Sequence, residues 1–431
     1  MVYAPIYIPT LCRSEHFQKC IESLKANTWA KYTDVYIALD YPPNERYRAG
    51  YEKICSYLEN GKFDCFNSFN VVKREKNYGA ALNSSEMRDY ISSKYDRWIY
   101  AEDDIVFSPI FLEFMDKALE KYEADENVIG VNGYSYPLPY KSNVKGANIF
   151  KQKFTFSMWG AGFWKAKQLK TIETLKNGYM YDCYPEVKSN GKLNQLIQGR
   201  YYDYMFHALT NSSRYFKTSS DMSLGVYMAF NDLYVITPFV SKTQNAGFDG
   251  TGLCCQKITN MDNRTSLSYD YNAQVIDMGD GNEVELIEDD DTFLNCTKTL
   301  LDDFLVTDQS KKKQVEVLIV LSKIIGREYT TRLYQLLRRI KNGKSDKNSV
   351  VINFIWRFAE RCGAQLVTFI VSIVLARILS PEDYGQIALI TVFTTIMQVF
   401  VDSGLGLALI QKRMRMILIF HLYSILILQF V

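Results

Sequence analysis

Along the first 130 residues, short apolar runs alternate with longer segments of helical period. APIYIPT (4–10) reads as a strand, SEHFQKCIESLKANT (14–28) as an amphipathic helix, DVYIALD (34–40) as a strand and NERYRAGYEKICSYLEN (44–60) as a helix. FNVVKRE (69–75) follows as a strand and NYGAALNSSEMRDYISSKY (77–95) as a loop opening a helix. RWIYAEDD (97–104) is then a strand that stops on three consecutive carboxylates, Glu102, Asp103 and Asp104. Strands alternating with helices predict βαβ units, an α/β fold and a mostly parallel, Rossmann-like sheet. Ligands of such sheets bind beyond the carboxyl ends of the strands. Pro9-Thr10, Asp40, Arg74 and the triplet all fall at such ends, so four segments bring polar groups to one edge.

Residues 131–300 lose this alternation and become rich in aromatics, Gly and Asn, with FSMWGAGFWKAK at 156–167. Irregular aromatic segments of this kind form binding surfaces attached to a scaffold. IEDDDTF (287–293) reads as a solvated acidic loop. From 306 to 349 the chain is basic and amphipathic, with KKK at 311–313 and RLYQLLRRIKNGK at 332–344, and it either lies on a membrane surface or packs on the preceding domain. The runs 351–379 and 386–410 are each apolar and long enough to span a bilayer, and SPEDYG joins them; a third run, 416–431, is barely long enough. Basic residues flank this pair and the joining loop has none, which predicts that the amino-terminal domain faces the cytoplasm. Arg357, Glu360, Arg361 and Asp402 point to a polar interior or an interfacial turn.

Composition changes this picture little. The 431 residues carry 50 Lys and Arg against 48 Asp and Glu, a balance that favours neither a nucleic-acid partner nor an acidic tail. Nine cysteines without a C-x-x-C pair argue against a disulfide framework and a zinc knuckle, and fit a reducing cytoplasm. The start, MVYAPIYIPT, lacks the basic flank of a signal peptide and reads as the first strand.

Carboxylates crowded at a strand end repel one another unless something offsets them. A hard divalent cation does so, and it also neutralises phosphate oxygens. A surface acidic turn that caps the next helix at Ser108-Pro109 is the plainer reading.

Together these pieces resemble glycosyltransferases of the nucleotide-sugar-dependent GT-A fold, in the neighbourhood of the family-2 enzymes of bacterial polysaccharide synthesis. The resemblance covers residues 1 to about 255 and rests on PT at 9–10, Asp40, Arg74 with NYGAALN at 77–83, EDD at 102–104 in place of that fold's D-x-D signature, MWGAGFW at 158–164 and NAGFDGTG at 245–252. It implies that Pro9, Thr10, Arg13, Asp40, Arg74, Gly79, Glu102 and Asp103 surround the nucleotide, with Asp104 the ligand of Mn²⁺ or Mg²⁺. Trp159, Gly160, Asp249 and Gly250 would then line the donor or acceptor sugar. Trp159 and Trp164 either stack on a sugar or pack the core. Asp203, in GRYYDYMFHAL, is either the general base for the acceptor hydroxyl or a carboxylate complementing a helix dipole. Relatives commonly follow the NAGFDGTG segment with a histidine near the metal, whereas this chain has Leu253-Cys254-Cys255. His16, His207 and His421 read as ordinary helix residues.

Residues 350 to about 413 resemble instead the first two helices of bacterial polysaccharide flippases, in WRFAERCGAQLVTFIVSIVLARILSPEDYG and VDSGLGLALIQKR. Such exporters need about a dozen spans around a central site. The expected organisation is therefore a transferase domain at 1–305, a basic linker at 306–349 and a truncated, flippase-like membrane segment at 350–431. The expected activity is inverting transfer of a sugar from a nucleotide donor to a lipid-linked glycan at the bacterial cytoplasmic membrane. A polysaccharide-export protein with an accessory transferase domain and a non-catalytic nucleotide-sugar-binding module are the alternatives.

Overall fold

The computed structural model describes residues 1–136, 142, 144–153, 155–176, 189, 221–252, 275–289, 309–342 and 392–394. It divides into Met1–Arg338 and Arg339–Val431. Asp203, His207, His421, Cys254, Cys255 and nearly all of 351–431 lie outside the described residues. Among the described residues no helix is long and apolar enough to cross a membrane.

The first unit is a mixed α/β structure built on a nine-stranded, mostly parallel sheet. β1 (Ile6–Thr10), β2 (Asp34–Leu39), β3 (Ser68–Lys73) and β4 (Arg97–Tyr100) lie in the order β3-β2-β1-β4, all parallel. The helices between them are α1 (Ser14–Lys25), α2 (Arg48–Asn60) and α3 (Gly79–Lys94). β5 (Ile105–Phe107) and α4 (Phe111–Lys121) follow. β6 (Val128–Asn132), β7 (Ile149–Gln152), β8 (Ala161–Trp164), β9 (Tyr234–Pro238) and β11 (Glu288–Asp289) complete the sheet beyond β4, while β10 (Thr243–Asn245) pairs antiparallel with β5. β8 lies antiparallel between β4 and β6. α5 (Lys165–Lys176), α6 (Asp221–Asn231), α7 (Gln309–Ile325) and α8 (Arg327–Asn342) are the remaining helices.

Period-two alternation sorts the strand side chains between two cores. Ile6, Ile8, Val35, Ile37, Leu39 and Ile99 enter one face with Phe17, Cys20, Ile21 and Leu24 of α1 and the apolar stripe of α4. Tyr7, Tyr36, Ala38, Trp98 and Tyr100 enter the other, covered by Met87 and Ile91 of α3, Leu224 and Met228 of α6, and Val315, Leu318 and Ile319 of α7. Helices on both faces satisfy a sheet whose central strands are buried. Full burial of a side chain such as Phe17 or Leu24 contributes about 1.5–3 kcal/mol. The chain leaves β1 towards β2 on one side, and β4 lies on the other. In open α/β sheets ligands bind at such a reversal, here the carboxyl ends of β1 and β4.

One segment differs from the sequence reading. Glu288 and Asp289, expected in a solvated acidic loop, form the edge strand β11 parallel to β7. Their charge is met locally, as Tyr122 donates to Glu288 and Lys151 lies 3.7 Å from it. In the basic segment, α7 packs on the core through Val315, Leu318 and Ile319, one of the two arrangements the sequence left open.

Asp116, fully buried on α4, uses Oδ1 to accept the Ala4 N–H at 2.8 Å, and its Oδ2 has no partner. Burial pushes its pKa up to about 7, against the Ala4 N–H and Arg97, which lower it. Between pH 4 and 7 the unfolded chain has lost this proton while the native chain retains it, so stability falls as pH rises by about 1.4 kcal/mol per unit from this group. In Asp116→Asn this part of the slope is expected to vanish. Urea midpoints measured across that range check it; an unchanged slope would reject the assignment.

Candidate functional site

The site is built by the residue that follows each strand. β1 ends on Thr10, whose backbone carbonyl accepts the Asp40 N–H at 2.9 Å, locking the ends of β1 and β2 together. Asp40, buried just past β2, accepts four hydrogen bonds. Tyr41 N and Tyr78 N reach Oδ1 at 2.9 and 2.8 Å, while Gly79 N and Asn77 Nδ2 reach Oδ2 at 2.8 and 3.2 Å. A carboxylate at the start of α3 satisfies donors the helix leaves unpaired. Gly79 opens that helix at φ +73°, a conformation costly to any residue with a Cβ. Arg74, past the end of β3, binds Asn83 Oδ1 at 2.9 Å and lies 4.9 Å from the Tyr78 ring centre. Asn83 in turn donates to Ala38 O at 2.8 Å. Asp40, Arg74 and Gly79 thus form one hydrogen-bonded rim over β2 and β3.

The second half of the site centres on the carboxylates after β4. Thr10 Oγ1 donates to Asp103 Oδ2 at 2.8 Å. Arg13, at the amino end of α1, bridges the two aspartates, with one nitrogen on Asp103 Oδ1 and Nη1 on Asp104 Oδ2 at 2.8 Å. Burial works against the Arg13 charge, but Asp103 and Asp104 outweigh it and hold the guanidinium firmly protonated. For Glu102 the balance is reversed: burial, with the negative charges of Asp104, Asp103 and Asp221, pushes its pKa up to about 8. The crowding visible in the sequence is therefore relieved by a shared arginine, and it favours the protonated form of Glu102.

The β5–β10 ribbon carries residues 245–250 onto this cluster. Ala246 N donates to Asp104 O at 2.9 Å, and a Cβ on Gly247 would stand 2.1 Å from Asp104 Oδ2, so only glycine allows this approach. Asp249 Oδ2 lies 3.1 Å from His16 Nε2. Phe248 meets Trp159 edge-on at 5.6 Å, and Trp159 meets Tyr134 at 4.6 Å. Gly160 (φ +82°) sits where a Cβ would strike Thr243 Cγ2, and Gly250 has φ +89°. Trp159 is half-buried beside the cluster. Trp164 is fully packed, its indole N–H donating to Leu119 O at 2.9 Å.

Thr10, Arg13, Asp103 and Asp104 are thus in direct contact, Pro9 precedes them in β1, and Asp249 reaches them through α1. His16 was read as an ordinary helix residue; it stands three positions after Arg13, one helical turn, and so falls on the same face. That phase was legible, whereas nothing local marks Gly247, Asn83 or Asp221 as neighbours of the site. A separate cavity lined by Glu123, Trp164, Lys165 and Lys170 opens at the amino end of β4, where Arg97 pairs with Trp164, away from the carboxylates.

Among the described residues no group of three or more acidic, His or Cys side chains forms a ready metal cage. Asp104 Oδ1 is nevertheless a buried oxygen without a hydrogen-bond partner. It fits a cation whose remaining ligands are phosphate and water oxygens, a common arrangement for Mg²⁺.

A family model described as "Polysaccharide biosynthesis protein" matches residues 374–420. Among curated proteins, none matches the chain. Solved structures similar to it include residues 1–349 of S. aureus TarS (12% identity, 56% of this chain and 59% of that one, TM-score 0.30). A longer S. aureus TarS structure also matches (14% identity, 39% and 29%, TM-score 0.26). The mannosyltransferase PcManGT from Pyrobaculum calidifontis, solved with GDP-Man and Mn²⁺, is a third (12% identity, 40% and 46%, TM-score 0.29). The chain spans less than two thirds of the length of each. At TM-scores no higher than 0.30, these likenesses assign no function to the chain.

Proposed function

We propose that the first unit is a glycosyltransferase of GT-A type that takes a sugar from a nucleoside-diphosphate donor. The single observation behind this reading is the interlocking of Arg13, Asp103 and Asp104 at the β1/β4 reversal, with Gly247 packed against Asp104 and Phe248 against Trp159. The rim formed by Asp40, Arg74 and Gly79 suits the base and ribose, and Thr10 and Asp103 suit the ribose and diphosphate. Asp104 would hold Mn²⁺ or Mg²⁺ through Oδ1, and the cation, when bound, stabilises the charge that develops on the departing diphosphate. Arg13 supplies further positive charge beside it. Trp159, Gly160, Asp249 and Gly250 would border the sugar. Asp203 is our choice for the base that takes the acceptor proton in an inverting reaction.

The acceptor we propose is a lipid-linked glycan of bacterial surface-polysaccharide synthesis, with residues 351–410 anchoring the chain in the cytoplasmic membrane and the transferase unit facing the cytoplasm. The family match at 374–420 supports a polysaccharide setting and favours one second reading, an export-related protein with an accessory transferase.

Incubating the full chain with a panel of nucleotide sugars tests the first reading. Release of nucleoside diphosphate is expected from at least one donor and to rise with Mn²⁺. No hydrolysis and no nucleotide binding across the panel would reject it.

A further inference from the structure

α7 and α8 carry an apolar surface that the core does not use. Val315, Leu318 and Ile319 of α7 are buried against the sheet, yet Val317, Val320 and Ile324 are 59%, 57% and 72% exposed. At about 100° per residue these three fall on the opposite side of the helix from the buried set. In α8, Thr330 and Thr331 are buried and Tyr334 packs on the core, while Tyr329, Leu333 and Leu336, spaced i, i+4, i+7, are exposed. A helix with one apolar face in the core and another in solvent is short of a partner, and contiguous exposed apolar surface marks a contact site.

The charge around these stripes identifies that partner. Residues 309–342 hold nine Lys and Arg against two Glu, although the whole chain is nearly balanced at +2. Lys313 and Lys323 are exposed, while Arg332 is exposed and pairs with Glu328 of its own helix at 2.5 Å. A second copy of the same helices would bring like charge against like charge, and an apolar segment of the chain itself would leave the cations unmatched. Apolar residues flanked by Lys and Arg match the acyl and phosphate layers of an anionic leaflet, because long basic side chains reach the headgroups while the apolar stripe enters the acyl boundary.

We infer that α7 and α8 lie on an anionic phospholipid surface, inserting Val317, Val320 and Ile324 of α7 and Tyr329, Leu333 and Leu336 of α8. This contact would hold the transferase unit against the leaflet, and it stands whether or not residues 351–410 cross the bilayer and whether or not the site transfers sugar.

Photo-crosslinking of the full chain tests the contact. The photoreactive p-benzoylphenylalanine is placed singly at Val320, Leu333 or, as a control, Met278, an exposed apolar residue between Asp277 and Asp280. The chains are reconstituted in phosphatidylcholine vesicles with or without phosphatidylglycerol. Phospholipid adducts are expected at 320 and 333 in the anionic vesicles, and none at 278. Replacing Lys313 and Lys323 with Gln should lower the yield roughly fivefold for each charge removed. Adducts to a second copy or within the chain, yields unchanged by phosphatidylglycerol, or no adducts would each overturn the inference. None of these outcomes bears on nucleotide-sugar hydrolysis, so the two readings fail separately.

Discussion

Asp104→Asn is expected to lower donor turnover by about 10³-fold while leaving the fold intact. Asparagine keeps the size of the side chain and leaves the Ala246 N–H bound to the residue's backbone carbonyl, so the β5–β10 ribbon has no reason to move. Arg13 also retains its contact with Asp103. What is lost is the anionic oxygen at Oδ1, a buried oxygen without a hydrogen-bond partner. Binding of Mn²⁺, followed by paramagnetic resonance of the free ion, should weaken in parallel with turnover. Metal-dependent turnover at the native rate would remove Asp104 as the ligand, and lost turnover with unchanged Mn²⁺ binding would move its role to orienting the donor. A conservative change that abolished folding is separable from either outcome by circular dichroism.

The first four strands and three helices were readable because their signals are local. Alternating Ile6-Tyr7-Ile8 and Val35-Tyr36-Ile37 divide cleanly between the two sheet faces, and the buried Phe17, Cys20, Ile21 and Leu24 follow the period of a helix. Strand-end placement likewise brought Thr10, Asp40, Arg74 and the carboxylates to one edge, since a parallel sheet aligns its carboxyl ends. What was not readable depends on contacts distant in sequence. Glu288 and Asp289 have the composition of a loop and become a strand where β7 offers an open edge and Tyr122 and Lys151 meet the Glu288 carboxylate. Gly247 is an ordinary loop glycine until Asp104, 143 positions earlier, is placed against it. The helical phase of His16 is local, but its partner Asp249 lies 233 positions later in the chain. The exposed stripe of α7 was hidden by its continuous apolar run, VEVLIVL, in which the sequence does not say which face the core takes.

Arg13→Gln is the sharper probe of how the site manages its charge. Arg13 is the counter-ion shared by two carboxylates whose side chains are 10% and 4% exposed, and truncating one partner of a buried ion pair leaves the other charge uncompensated. The metal-free protein is therefore expected to lose about 3 kcal/mol of stability, read as a lower urea midpoint with unchanged slope. Glutamine can still donate one hydrogen bond, but it brings no charge. A divalent cation would then have more to offer the variant than the native chain, because the guanidinium no longer occupies Asp104 Oδ2. Saturating Mn²⁺ should consequently raise the melting temperature of Arg13→Gln by more than it raises that of the native protein, a difference that follows from ligand binding to the folded state alone. Equal shifts in both proteins would mean that arginine and cation do not share the two carboxylates. Turnover separates the remaining roles: if Arg13 only balances charge, metal-saturated Arg13→Gln should keep most of its rate, whereas a guanidinium that also binds the diphosphate leaves the variant slow however much metal is added.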